Sequence, residues 1–131
     1  MDLVAEVERR VAGLHALQAN AIAELAGRPV FEGGRLQRPA SDHLEAAELV
    51  AAEVGAACCW SRSAASARVH LALDLVTRLP ATMGALAAGS IDLARARVIS
   101  EAVLPLAQPA ATAVEQRVLP RAGEQTTAQL G

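Results

Sequence analysis

The sequence predicts an all-α chain, a multi-helix bundle of about six helices with a long N-terminal helix and a helix-turn-helix-like pair. Three observations carry this expectation. The 131 residues are 53% apolar, yet Phe31 and Trp60 are the only aromatic residues and much of the apolar fraction is alanine, the residue that loses least on entering a helix. Apolar residues recur at three- and four-residue spacings between capping residues and Gly or Pro stops. No stretch rises above these patterns with the alternation of a strand. Small side chains let helices approach closely, so the expected core is thin and aliphatic.

The first helix is expected over residues 1–26, from about Asp2. Val4, Val7, Val11, Leu14, Ala21 and Leu25 fall on a heptad seam interrupted by Gln18, as in helices that pair along one stripe. Leu3, Leu17 and Ile22 widen that stripe. Asp2 and Glu6 suit the positive end of the helix dipole. Gly27 supplies the stop and Pro29 follows it. Residues 27–40 contain Gly33-Gly34, two prolines and three arginines, which reads as a linker loop.

Residues 41–131 are expected to form one further helical domain. Its first helix begins at Ser41 or Asp42, where Asp42 and Glu45 make a capping-box-like start. It continues through Leu49, Val50 and Val54 towards Cys58. Ser61-Arg62-Ser63 interrupts the pattern and offers new caps. The next helix runs to about Leu79, with Ala65, Val69, Ala72, Leu73 and Val76 inside and Ser66, His70, Asp74 and Thr77 on a polar face. Pro80 ends it. A short helix over residues 81–88 is closed by Gly89, and Asp92 caps another that reaches Val103 before Pro105. Pro109 suits the first turn of a sixth helix ending near Pro120. Thr126 or Thr127 reads as the cap of a seventh, cut off at Gly131. The domain is therefore expected to be truncated at its C-terminus and to come from a longer protein.

Net charge is −2, which argues against a strongly basic nucleic-acid binder. The halves differ: residues 1–60 carry five Arg against nine acids, residues 61–131 seven Arg against five. Every base other than histidine is Arg, which can grip phosphate with two donors. Cys58 and Cys59 are adjacent, which disfavours a disulfide framework, and they read as buried small residues. No N-terminal signal pattern or membrane-length apolar run is present, so no membrane partner is expected and the reduced, cytoplasmic compartment fits.

Residues 49–76 read as helix, short turn, helix. Such a pair either places its second helix in a DNA major groove or is a plain helical hairpin. In the first case Trp60 anchors the turn, and Arg62, Ser63, Ser66 and Arg68 lie near the helix start, where DNA contacts are made. Arg95 and Arg97 are further phosphate candidates, pointing about 200° apart around their helix. His15, His43 and His70 are widely spaced, and no Cys-x-x-Cys, His-Glu-x-x-His, phosphate loop or nucleophile elbow occurs. No metal site, cofactor, catalytic residue or small-molecule substrate is expected.

The stretch Leu79-Pro80-Ala81-Thr82, then Leu86-Ala87-Ala88-Gly89-Ser90-Ile91-Asp92-Leu93-Ala94-Arg95-Ala96-Arg97, resembles a signature of the domain of unknown function 222 family of actinobacteria. So does Val114-Glu115-Gln116-Arg117-Val118-Leu119-Pro120-Arg121-Ala122, followed by Thr126-Thr127-Ala128-Gln129-Leu130. The resemblance implies a domain lying N-terminal to an HNH endonuclease domain. HNH chemistry needs metal-bound histidines, and no His follows His70, so no catalytic residue carries over. The expected function is a non-catalytic domain that binds or positions DNA for such a nuclease. The alternative is an interaction module without DNA contact, forming a homodimer through residues 2–26. Whether the seam on the first helix packs on its own chain or on a second copy stays open at this point.

Overall fold

The computed structural model describes residues 2–27, 30–32, 35–37 and 43–122, with side chains for 2–27 and 46–121. Among these the fold is all-α, a multi-helix bundle: α1 (Asp2–Gly27), α2 (His43–Cys58), α3 (Arg62–Thr77), α4 (Pro80–Ala88), α5 (Leu93–Val103) and α6 (Gln108–Ala122). One two-stranded antiparallel hairpin joins them, β1 (Val30–Glu32) with β2 (Arg35–Gln37). The expected capping box at Asp42 and Glu45 and the seventh helix lie outside the described residues.

The hairpin corrects the reading of residues 27–40 as a loop. Val30 pairs with Gln37, Phe31 with Leu36 and Glu32 with Arg35. Gly-Gly between two runs is a known two-residue hairpin signal, but runs of three residues are too short for alternation to show.

The chain divides into two compact units, one of Ala19–Leu73 and one of Met1–Gln18 with Asp74–Gly131. The first unit is built from small side chains. Ala19 and Ile22 of α1, Ala47, Val50 and Ala51 of α2, and Ala65, Val69, Leu71 and Ala72 of α3 are buried. A Cβ on Gly55 would lie 3.2 Å from the Cβ of Ala65, so α2 and α3 nearly touch there. Helix α2 ends with Cys59 in the left-handed region (φ 58°) and the Trp60 N–H bonded to the Gly55 carbonyl at 3.0 Å, a Schellman closure. Ser61 then caps α3, its Oγ accepting from the Ala64 N–H at 3.1 Å. Cys58 and Cys59 are exposed thiols, contrary to the expectation of burial. Both stand at the end of α2, where the backbone reverses and the helix offers no further turn to pack on.

In the second unit α4, α5 and α6 each pack on the other two. Its core holds Leu75, Leu79, Leu86, Ile91, Ile99 and Val103, together with Thr82, Ser100 and Glu115. Pro80 opens α4 rather than only ending α3, since a proline at the first helical position removes an N–H that has no partner anyway. Asp92 caps α5 as predicted, accepting from the Arg95 N–H at 2.9 Å. Pro120 lies inside α6, and the helix runs only two residues beyond it. Helix α3 buries Leu71 and Leu75 while Val76 is exposed and Leu73 half-buried, so its inner face drifts from the one expected.

Helix α1 departs most from expectation. Its buried positions are Ala12, Ala16, Ala19 and Ile22, not the seam of Val and Leu. Within the second unit the backbone of α1 lies on the end of α4. A Cβ on Gly13 would meet the Ala87 carbonyl at 3.4 Å, and one on Gly89 would meet the Arg9 Cβ at 2.8 Å. A face of Ala and Gly permits that approach, whereas Val and Leu would hold the helices apart.

Candidate functional site

The α2–turn–α3 segment places Arg62, Ser63, Ser66 and Arg68 on the first two turns of α3, all in one compact unit. Arg62 and Ser63 are exposed. Arg62 lies 3.7 Å from a Glu48 carboxylate oxygen. The Ser66 hydroxyl donates to the other Glu48 oxygen at 3.3 Å. The Arg68 guanidinium sits 4.7 Å from the Trp60 ring centre, a cation–π distance. Three of these four side chains therefore have partners within their own unit. Trp60 lies at the turn, its N–H closing α2 and its ring beside the Arg68 guanidinium.

Arg95 and Arg97 belong to the other unit. Arg95 forms an ion pair with its own helix cap, Asp92, at 2.9 Å, while Arg97 is exposed. The α3 candidates thus share one helix end, and the α5 pair belongs to a separate unit. Among the described residues no group of three or more His, Cys, Asp or Glu could hold a metal ion, and no single helix is long and apolar enough to cross a membrane.

The most distinctive surface is on α1. Leu3, Val4, Val7, Val11, Leu14 and Leu17 are all exposed, from 38% at Val11 to 77% at Leu3. Single exposed apolar residues are ordinary, whereas these six fall on one side of the helix. Charges beside the stripe are locally balanced. Glu6 accepts from Arg9 at 2.6 Å and from Arg10 at 3.2 Å. These two guanidinium groups, Arg9 first, hold the Glu6 carboxyl below its ordinary value of 4.5.

Two residues with structural work to do were not legible in sequence. Arg78 donates to the carbonyls of Val103, the last residue of α5, and Leu106 just beyond it, and the Gln108 amide donates to the Arg78 carbonyl at 2.8 Å. Glu115 is buried and accepts from the backbone N–H of Thr82. Neither has a local signal, because each partner lies on a different element. Counting Arg78 among the bases of the second half overstated what was available for phosphate.

The chain matches the family described as domain of unknown function (DUF222) over residues 1–131, which takes in α1 as well as the stretches that carried the resemblance. No match to the chain was found among curated proteins or among solved structures.

Proposed function

We propose that this chain, which belongs to the domain of unknown function 222 family, is a non-catalytic helical module that dimerises through α1. The exposed apolar stripe from Leu3 to Leu17 carries this reading. Its Val4, Val7, Val11 and Leu14 have the spacing that lets side chains of one helix enter gaps on another. A second copy brings the same spacing, so one stripe is complementary to its own duplicate. Fully burying a Val or Leu is worth about 1.5–3 kcal/mol. Covering six half-exposed side chains in each of two copies is then worth on the order of 10 kcal/mol. Association costs about 4–15 kcal/mol, so the pairing is weak and a single buried charge is enough to abolish it.

Light scattering over a range of concentrations tests the reading. The expected result is a mass that rises towards twice that of one chain, and a Leu14→Glu variant that stays at one. A constant single mass for the unaltered chain would remove it.

A second reading, contact with DNA, is favoured by exposed Arg62 and Ser63 at the start of α3. A helix start presents backbone N–H groups to phosphate. Binding of this kind falls steeply with salt, because counterions are released. In a salt-dependent titration, Arg62→Glu is expected to weaken binding. Equal binding by the two proteins at low salt, or no binding by either, removes this reading and leaves the first untouched.

A further inference from the structure

We propose that Cys58 and Cys59 form a site of reversible oxidation: a hydroperoxide joins the two thiols as a disulfide, and the joined pair opens the turn between α2 and α3. This stands apart from the pairing through α1. Both thiols are free and exposed at the end of α2, so a small oxidant reaches them without unfolding. Every residue concerned, from Gly55 to Arg68, lies in one compact unit.

A few contacts close the turn. Cys59 has a φ of 58°, and the Trp60 N–H donates to the Gly55 carbonyl at 3.0 Å. A Cβ on Gly55 would lie 3.2 Å from the Ala65 Cβ and 3.4 Å from the Trp60 carbonyl oxygen, so the backbone fits tightly there. The Trp60 ring is 4.7 Å from the Arg68 guanidinium. The left-handed angle at Cys59 belongs to this closure, because it turns the chain back onto the last carbonyls of α2. Glycine adopts that angle at less cost, yet a thiol occupies the position.

The same angle keeps the two side chains apart. Cys58 is helical, with ψ of about −42°. Followed by a φ of 58° at Cys59, it sets the two Cβ atoms on opposite sides of the peptide plane between them. A disulfide needs Cβ atoms about 3.5–4.5 Å apart, which adjacent residues reach only on the same side. Joining the thiols therefore requires those backbone angles to change, and the Trp60 N–H then loses the Gly55 carbonyl. The closed turn and the closed disulfide ring exclude each other. Adjacent Cα atoms stand about 3.8 Å apart, less than the roughly 4.4–6.8 Å of ordinary disulfides. The ring is thus strained, and strained, exposed disulfides are readily reduced.

The oxidation balances with one hydroperoxide. A thiolate sulfur takes a hydroxyl group from hydrogen peroxide as the O–O bond breaks, giving a sulfenic acid and hydroxide. The neighbouring thiol gives its proton to that hydroxide. Its sulfur then attacks the sulfenic sulfur, the S–S bond forms, and the departing hydroxide takes up the proton first released. Two thiols and one peroxide become one disulfide and two waters. Reduction by a small dithiol reverses the change by exchange.

Peroxide treatment at low protein concentration, followed by digestion and mass spectrometry, tests the site. The expected product is a peptide holding both cysteines that has lost two hydrogens, resists iodoacetamide and regains both thiols with dithiothreitol. Trp60 is the single tryptophan of the chain, so its fluorescence reports the turn. Its emission is expected to shift to longer wavelength on oxidation and to return on reduction. Cys58→Ser and Cys59→Ser, shown by circular dichroism to remain helical, are expected to give no shift. Covalent dimers, or separately oxidised sulfurs with no internal bond, would overturn the site. An internal bond that leaves the Trp60 emission unchanged would overturn its link to the turn.

Discussion

Glu115 of α6 serves as the N-cap of α4 through Thr82, a residue 33 positions earlier in the chain. One carboxylate oxygen accepts both the Thr82 backbone N–H and the Thr82 hydroxyl, each at 2.7 Å. The residue at the local cap position, Leu79, has no side-chain acceptor to offer. Pro80 removes one N–H at the helix start, and Glu115 satisfies another. Both Thr82 and Glu115 are fully buried, so water cannot replace the bond.

This relationship predicts an asymmetry between two substitutions. Glu115→Gln keeps an acceptor and is expected to cost about 1 kcal/mol. Glu115→Met keeps the volume but strands a buried N–H and hydroxyl, and is expected to cost about 3 kcal/mol. Urea denaturation measures both. Equal costs would show that the carboxylate is not acting as a cap.

The two glycines of α4 are expected to respond in opposite directions. Gly89 closes the helix in the left-handed region (φ 78°), and a Cβ there would lie 2.8 Å from the Arg9 Cβ and 2.9 Å from its Cα. Gly89→Ala combines backbone strain with a steric conflict and is expected to cost on the order of 3 kcal/mol. Gly84 lies inside the same helix, and a Cβ on it would meet nothing within 4 Å. Gly84→Ala is expected to stabilise by about 0.5–1 kcal/mol. Thermal melts of the two variants should move on opposite sides of the parent.

Cys59 occupies a conformation suited to glycine. It is exposed, so no packing is lost on shortening it. Cys59→Gly is expected to raise stability by about 1 kcal/mol, read from the denaturation midpoint. A loss of stability would show that the thiol contributes something beyond its backbone angle.

The Glu6 carboxyl is held below 4.5 by Arg9 and then Arg10. A depressed carboxyl contributes stability above its unfolded value and loses it as pH falls through the lower folded value. No change from this group is therefore expected between neutral pH and about 5, and its contribution disappears in more acidic solution. An NMR titration should place the Glu6 midpoint below that of an ordinary glutamate, and Arg9→Ala should raise it more than Arg10→Ala.

Much of the helical layout was legible from local chemistry. Asp92 and Ser61 are caps because a short acceptor side chain reaches the free N–H groups of its own first turn. Gly89 and Pro105 mark helix ends through backbone angles that depend on one or two residues. Interactions of this range are written in consecutive residues. The two glycines between β1 and β2 were also a readable hairpin signal, outweighed by the shortness of the strands.

Tertiary structure alone decided which face of α1 is covered and which distant side chains close the helix ends. The apolar seam of α1 and its Ala-Gly stripe are both periodic, so periodicity cannot rank them. The stripe is buried because it allows the α1 backbone to approach α4 at Gly89 and Gly13, and that close fit exists only when both elements are in place. Arg78 and Glu115 meet their partners from 25 or more positions away. Their roles depend on where other helices end in space, which no local pattern encodes.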